Sequence, residues 1–190
     1  MTAPRTKDDV VRAAGRLFAE RGFHGTSMRD LGSAVGLTGS SLYSHVGGKG
    51  ELLIEVIRTG ARLFQALADD VVAMDGTAAE RLHRLVVGHV GIVIDHLDEA
   101  RTFLDEARFL PDAERDAVLA MRNRYEQVYR DLLGEGIGTG EFTGSLDATR
   151  VSILLLSMLN AIDRWYRPGG GSGPGEVADS IFELAMDGIR

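Results

Sequence analysis

Apolar residues recur at helical spacing along nearly the whole chain, and Gly, Pro, Ser or Thr mark the breaks. From Thr6 to Arg21, Val10, Val11, Ala14, Leu17 and Phe18 share one helical face. Gly22 can end that run, and Phe23 is expected to pack under the next helix. A shorter pattern follows. Met28, Leu31 and Val35, spaced i, i+3, i+7, predict a helix over Ser27 to Val35, with Thr26 as its cap. Gly36 can end it in the left-handed conformation that Gly accepts. Thr38 can cap a second helix of about two turns that ends near Val46. Leu37, Leu42 and Val46 would face inward, leaving Gly39, Ser40, Ser41, Tyr43, Ser44 and His45 on or near the outside. Neither short helix is stable alone, so the first one must be what they pack on.

A long stripe of Leu53, Val56, Ile57, Leu63, Phe64, Leu67 and Val71 predicts a helix from Lys49 to Ala73. Thr77 can cap the next, over Leu82 to Leu97, and a shorter helix spans Ala100 to Phe109. Pro111 suits the first turn of another, carrying Val118, Met121, Tyr125, Val128, Tyr129 and Leu132. Gly134, Gly136, Gly138 and Gly140 read as a flexible connection. Ser145 to Tyr166 is apolar on nearly every side, and Gly175 to Arg190 spreads Val177, Ile181, Phe182, Leu184 and Ala185 over more than one face. A helix apolar all round must be covered all round. Two such neighbours predict burial against a second copy of the chain, through Leu154, Met158, Ile162, Ile181, Leu184 and Ala185. The alternative is a central core helix wrapped by the others.

The expected fold is all-α, about nine helices over 190 residues. The absence of cysteine excludes a disulfide framework and a cysteine nucleophile. The start carries no signal-like apolar run, and Ile153 to Leu156 falls far short of the about 20 residues that span a bilayer. A cytoplasmic protein without a membrane partner is expected. Residues 1–50 hold seven Lys/Arg against four Asp/Glu, a surplus of +3; residues 51–190 hold fourteen against twenty-four, or −10. A basic N-terminal quarter on an acidic body places the favourable field for phosphates beside the second short helix. His89 and His96 lie too far apart along one helix for a shared metal and read as core or pocket histidines. No metal or cofactor is expected. An enzyme finds little support: GxSxG and HExxH are absent. The phosphate-loop pattern fails at Tyr43 and Gly50, and Asp105-Glu106 reads as helix-surface charge.

The segment LFAERGFHGTSMRDLGSAVGLTGSSLYSHVGGKGELL resembles the N-terminal domain of TetR-family transcriptional regulators over about residues 8–57. The resemblance lies in the lead-in of Phe18, Arg21 and Gly22, the Val-Gly-Leu turn, the Leu-Tyr-x-His ending and Lys49 opening the fourth helix. Three positions depart from it. Gly32 stands where Ala is usual, at about 1 kcal/mol of helix stability. Val46 replaces a Phe, and Gly50 precedes rather than supplies the acidic residue, Glu51. The resemblance implies a helix-turn-helix DNA-binding domain at 1–50 and a ligand-binding and dimerisation domain at 51–190.

In such a motif the second helix enters the major groove and its first residues reach base edges, here Thr38, Gly39, Ser40 and Ser41. The resemblance assigns Tyr43, His45 and Lys49 mainly to phosphates, with Thr26 and Ser27 donating from the start of the preceding helix and Ser44 nearby; with no Arg or Asn on the recognition helix, base specificity per half-site is limited, and Arg29 or Arg5 can add to it. The segment from Arg101 to Gly170 resembles the subgroup that senses acyl-coenzyme A esters and controls lipid or sterol catabolism. That implies an apolar effector, an acyl-coenzyme A thioester being the candidate. Phe64, Leu67, Phe103, Phe109, Met121, Tyr125, Tyr129, Asn160, Arg164 and Trp165 are the candidate pocket residues, and Arg101, Arg108, Arg122, Arg164 and Arg167 could meet the coenzyme phosphates. The expected function is a ligand-responsive repressor, a homodimer reading a palindrome in double-stranded DNA. The alternatives are a helical interaction protein that has lost DNA binding, or an acyl-ester enzyme.

Overall fold

The computed structural model describes residues 6–43, 46–167 and 169–189. Among the described residues the regular structure is wholly helical. The helices are α1 (Lys7–Gly25), α2 (Met28–Val35), α3 (Gly39–Tyr43), α4 (Lys49–Val72), α5 (Ala78–Asp95), α6 (Leu97–Asp105), α7 (Asp112–Thr139), α8 (Ala148–Asn160), α9 (Ile162–Trp165) and α10 (Pro174–Ile189). A 3-10 turn, Ala107–Phe109, separates α6 from α7. None of these helices is long and apolar enough to cross a membrane. The chain divides into two compact units. The first holds residues up to Arg62 and Leu97–Leu119; the second holds Leu63–His96 and Ala120–Arg190.

In the first unit α1 packs on α2 and α6, and α2 on α3. Its core joins Val10, Ala14, Leu17 and Phe18 of α1 to Leu31 and Val35 of α2, Leu42 of α3 and Leu52, Leu53, Val56 and Ile57 of α4. Local chemistry sets the helix ends. Thr6 and Asp9 form a capping box at α1. Gly22, at φ 74° and ψ 163°, breaks α1 where the pattern predicts. The cap of α2 is Ser27, paired with Asp30, and not Thr26. Gly36 ends α2 at φ 71°, and the amides of Gly36 and Leu37 return to Ser33 O and Gly32 O, closing a Schellman turn.

In the second unit α5 packs against α10, α8 and α9. Thr77 and Glu80 cap α5 in a capping box. Glu141 adds a second cap from afar, accepting from Ala78 N at 3.3 Å and Ala79 N at 2.9 Å. These amides hold its carboxyl below the usual range. Two elements differ from the pattern. The glycine run 134–138 is helical, within α7. At Gly136 a Cβ would sit 2.2 Å from Phe142 Cδ2, so that glycine lets the chain after α7 fold back onto the helix. The helix predicted from Ser145 to Tyr166 starts at Ala148, after the Asp147 cap, and is interrupted at Ala161.

This predicts opposite signs for two neighbouring substitutions. Gly136→Ala overpacks against Phe142 and should lower stability by about 1–3 kcal/mol. Gly134→Ala lies in helix with open space around its Cβ and should raise stability by about 0.5–1 kcal/mol. Urea unfolding of both variants measures the contrast.

Candidate nucleic-acid interface and a buried polar cluster

The short α3 presents polar groups and buries one anchor. Leu42 is fully buried, whereas Ser40 and Ser41 are exposed and Tyr43 is 57% exposed. Thr38 caps α3, its Oγ1 accepting from Ser41 N at 3.1 Å. That Oγ1 also lies 3.0 Å from Ser40 Oγ and donates to Ser41 Oγ. Three hydroxyls thus sit together on the surface, bonded to one another until a better partner arrives. Gly39 opens the helix. Arg29 is exposed on α2. Arg5, Ser44 and His45 lie outside the described residues.

Two residues expected at this face point inward instead. Thr26 is 2% exposed, and its Oγ1 donates to Leu17 O at 3.2 Å and Gly22 O at 3.0 Å. It holds the end of α1 and has no surface to offer a phosphate. Lys49 donates from Nζ to Phe23 O at 2.8 Å and Thr26 O at 2.9 Å, and lies 4.3 Å from the Phe23 ring centroid. Its charge closes the turn between α1 and α2. Ser27 is exposed, but its hydroxyl is bonded to Asp30.

The same turn is gripped by a residue the sequence pattern placed on the surface. Glu106 is 8% exposed and accepts from Phe23 N at 2.9 Å. Phe23 stacks on Phe109 at 5.9 Å and meets Phe18 edge-on at 5.6 Å. It therefore packs toward the 3-10 turn and α1, not under α2. The signal for Glu106 is faint: an acid one residue before the apolar Ala107-Arg108-Phe109 segment.

Glu51 supplies the acidic function one place past Gly50. It reaches back to accept from Gly47 N at 2.9 Å, capping the start of α4.

The second unit holds a different chemistry. His89 of α5 is 1% exposed, and its Nδ1 lies 3.2 Å from Tyr125 OH and 3.5 Å from Tyr129 OH, both on α7. Phe64 of α4 packs on His89 at 5.0 Å and edge-on to Tyr125 at 5.3 Å. Burial holds the His89 pKa down at about 3, although a hydrogen bond between the ring and the Asn160 side chain favours the charged form. Nε2 is buried.

Of the predicted pocket residues, Phe64, Tyr125 and Tyr129 thus converge on His89. Leu67 is buried in the same unit, and Met121 is half-buried. Phe103 and Phe109 belong to the first unit. Arg164 is exposed and Trp165 is 53% exposed, so neither is a core wall. Of the predicted dimer residues, Leu154 and Leu184 are exposed, with Ile153 beside them. Met158, Ile181 and Ala185 are half-buried. Ile162 is fully buried, because the break at Ala161 turns α9 inward onto α5.

A capped pair of short helices, the second showing hydroxyls and an exposed Tyr above a buried Leu, defines the class as a helix-turn-helix DNA-binding regulator. Residues 10–56 match the family model described as bacterial regulatory proteins, tetR family, and residues 75–189 match that of the tetracyclin repressor-like C-terminal domain. The chain belongs to the TetR family of transcriptional regulators. It is 28% identical over 184 residues to the HTH-type transcriptional repressor KstR2 of Mycobacterium tuberculosis, covering 96% of this chain and 92% of that one. The solved structure of the ketosteroid transcriptional regulator KstR2 of Mycobacterium tuberculosis superposes with a TM-score of 0.92 at 26% identity, over 100% of this chain and 97% of that one. A TetR-family regulator from Streptomyces coelicolor A3 is 33% identical, with a TM-score of 0.81 over 100% of this chain and 95% of that one.

Two outcomes follow. Lys49→Ala removes two charge-assisted bonds to carbonyls and should lower stability by about 1–3 kcal/mol in urea unfolding, with no DNA present. A residue that only met phosphates would show no such loss. His89 has a folded pKa below its unfolded value of 6.5, so the unfolded chain binds the extra proton. Its contribution is whole above that pH and is lost as pH falls toward about 3. Stability of the wild type should therefore fall more steeply than that of His89→Phe between pH 6.5 and about 5, a range above most carboxylate titration.

Proposed function

We propose that the chain is a repressor that binds a palindromic operator as a homodimer and is released by a small apolar effector, an acyl-coenzyme A thioester. Residues 1–50 act as the DNA-binding domain and residues 51–190 as the ligand-binding and dimerisation domain. The observation that carries the DNA reading is α3 itself: Ser40, Ser41 and Tyr43 are exposed while Leu42 is fully buried. A helix so anchored can lie in a major groove with its small hydroxyls against base edges. Thr38, Ser40 and Ser41 read bases with modest discrimination, since Ser and Thr can donate to or accept from either kind of edge. Tyr43, Ser27 and Arg29 meet the phosphates and set the register. Lys49 and Thr26 act by positioning, holding the turn from which α2 departs.

Few strong base contacts per half-site call for two half-sites. A two-fold pair places its recognition helices about 34 Å apart, one turn of duplex. The exposed apolar residues Ile153 and Leu154 of α8 and Leu184 of α10 support pairing through these helices. Repression is supported by the likeness to KstR2, a transcriptional repressor, and a sterol-derived effector by its description as a ketosteroid transcriptional regulator.

A mobility-shift titration with duplex from upstream of the protein's own gene tests the reading. Binding should weaken steeply with added salt. Tyr43→Ala should weaken all duplexes alike, whereas Ser41→Ala should change the ranking of operator variants by about 1 kcal/mol. The same ranking before and after Ser41→Ala removes the base-reading role. A duplex bound no better than random DNA removes the operator.

A further inference from the structure

The amide of Phe23 takes its partner from a distant part of the same unit. Gly22, at φ 74° and ψ 163°, turns that N–H out of the helical ladder of α1. Glu106, 8% exposed, accepts it at 2.9 Å. The backbone of Glu106 is pinned on both sides. Its amide donates to Thr102 O in α6 at 3.0 Å, and its carbonyl accepts from Phe109 N at 3.0 Å. Thr102 is fully buried, and its hydroxyl donates to Asp98 O at 2.7 Å. Near the start of α6, a Cβ added to Gly60 of α4 would lie 2.7 Å from Glu99 O, so α6 is seated directly against α4. The carboxylate therefore reaches the turn from a fixed base. Phe109 also stacks on Phe23 at 5.9 Å. Stacked rings can slide past each other, whereas an N–H···O bond fixes both distance and direction.

We propose that Glu106 is a positioning residue for DNA binding. By holding the Phe23 amide it sets the angle at which α2 leaves α1. That angle places Ser27, the cap of α2, and with it the hydroxyls of α3. The inference rests on the DNA reading above and adds to it a residue outside 1–50. Buried as it is, Glu106 has no surface for a base or a phosphate, so it acts only through the turn. What the turn needs is an acceptor oxygen at this reach, and not a negative charge. Three substitutions separate these properties. Glu106→Gln keeps the oxygen and loses the charge. Glu106→Asp keeps the charge and draws it back by one methylene. Glu106→Met keeps the length and has no acceptor.

The test uses the full-length protein and two duplexes, one from upstream of the protein's own gene and one of random sequence. Circular dichroism fixes a temperature at which every variant is folded, so a loss of stability alone leaves the affinity unmoved. Glu106→Gln should bind the upstream duplex within about threefold of wild type. Glu106→Asp and Glu106→Met should bind it about tenfold more weakly, or worse. Without DNA, the Phe23 amide proton should lie downfield in wild type and Glu106→Gln and move upfield in the other two. The amides of Ser27 and Ser41 should shift along with it. Wild-type affinity in Glu106→Asp and Glu106→Met, a loss in Glu106→Gln as large as theirs, or unmoved Ser27 and Ser41 amides in Glu106→Met overturns the positioning role and leaves the DNA reading standing. A wild type that binds the upstream duplex no better than the random one removes the operator, and the amide shifts then decide on Glu106. If Glu106→Asp fails to fold, Glu106→Met decides.

Discussion

One ammonium group closes the turn on which the DNA-facing end depends. Lys49 Nζ bonds the carbonyls of Phe23 and Thr26 and sits over the Phe23 ring. Those carbonyls belong to a segment that Gly22 has just turned out of the helix, at φ 74°. Phe23 O also accepts from Thr26 N at 3.3 Å, so losing Lys49 would cost each part-buried carbonyl one charge-assisted donor. The amide of Phe23 is met from the other side by Glu106. Carbonyls and amide are thus satisfied by opposite charges brought by α4 and by the α6 to 3-10 junction. The direction in which α2 leaves, and so the presentation of α3, follows from that closure.

Polarity is used in two opposite ways. On α3, Thr38, Ser40 and Ser41 are exposed and their hydroxyls bond to one another, so a base edge can replace those bonds at little cost. At His89 the polar atoms are sealed among Phe64, Tyr125 and Tyr129. There a wrong partner is expensive, because a buried polar atom left unpaired keeps its desolvation cost. Surface hydroxyls suit repeated sampling of sequences; a sealed polar cluster suits one fixed internal arrangement.

The apolar surface follows the same division. On α8, Leu155 and Leu159 are buried against their own unit while Ile153 and Leu154 face outward. Leu184 does so on α10. A helix with apolar residues on opposite sides has one side too many for a single chain, which is why the reading of a dimer rests on these residues.

Periodicity and capping chemistry made most of the fold legible in the sequence. They act over three or four residues, so the stripe of α4, the Thr77 cap of α5, the Gly36 stop and the outward Ser40, Ser41 and Tyr43 could all be read directly. The TetR resemblance was legible for the same reason, being a set of local motifs at fixed spacing. What could not be read depended on residues far apart in the chain. The glycines before Thr139 are helical, and Gly136 leaves the room in which Phe142 packs on the helix. Glu106 is buried because an amide 83 positions earlier requires an acceptor. Lys49 turns inward because two carbonyls more than twenty residues away lie within its reach. Local hydrogen bonding and side-chain periodicity are properties of a segment, and the sequence alone determines them. The partner of a buried charge is a property of the packed chain, and only the tertiary structure decides it.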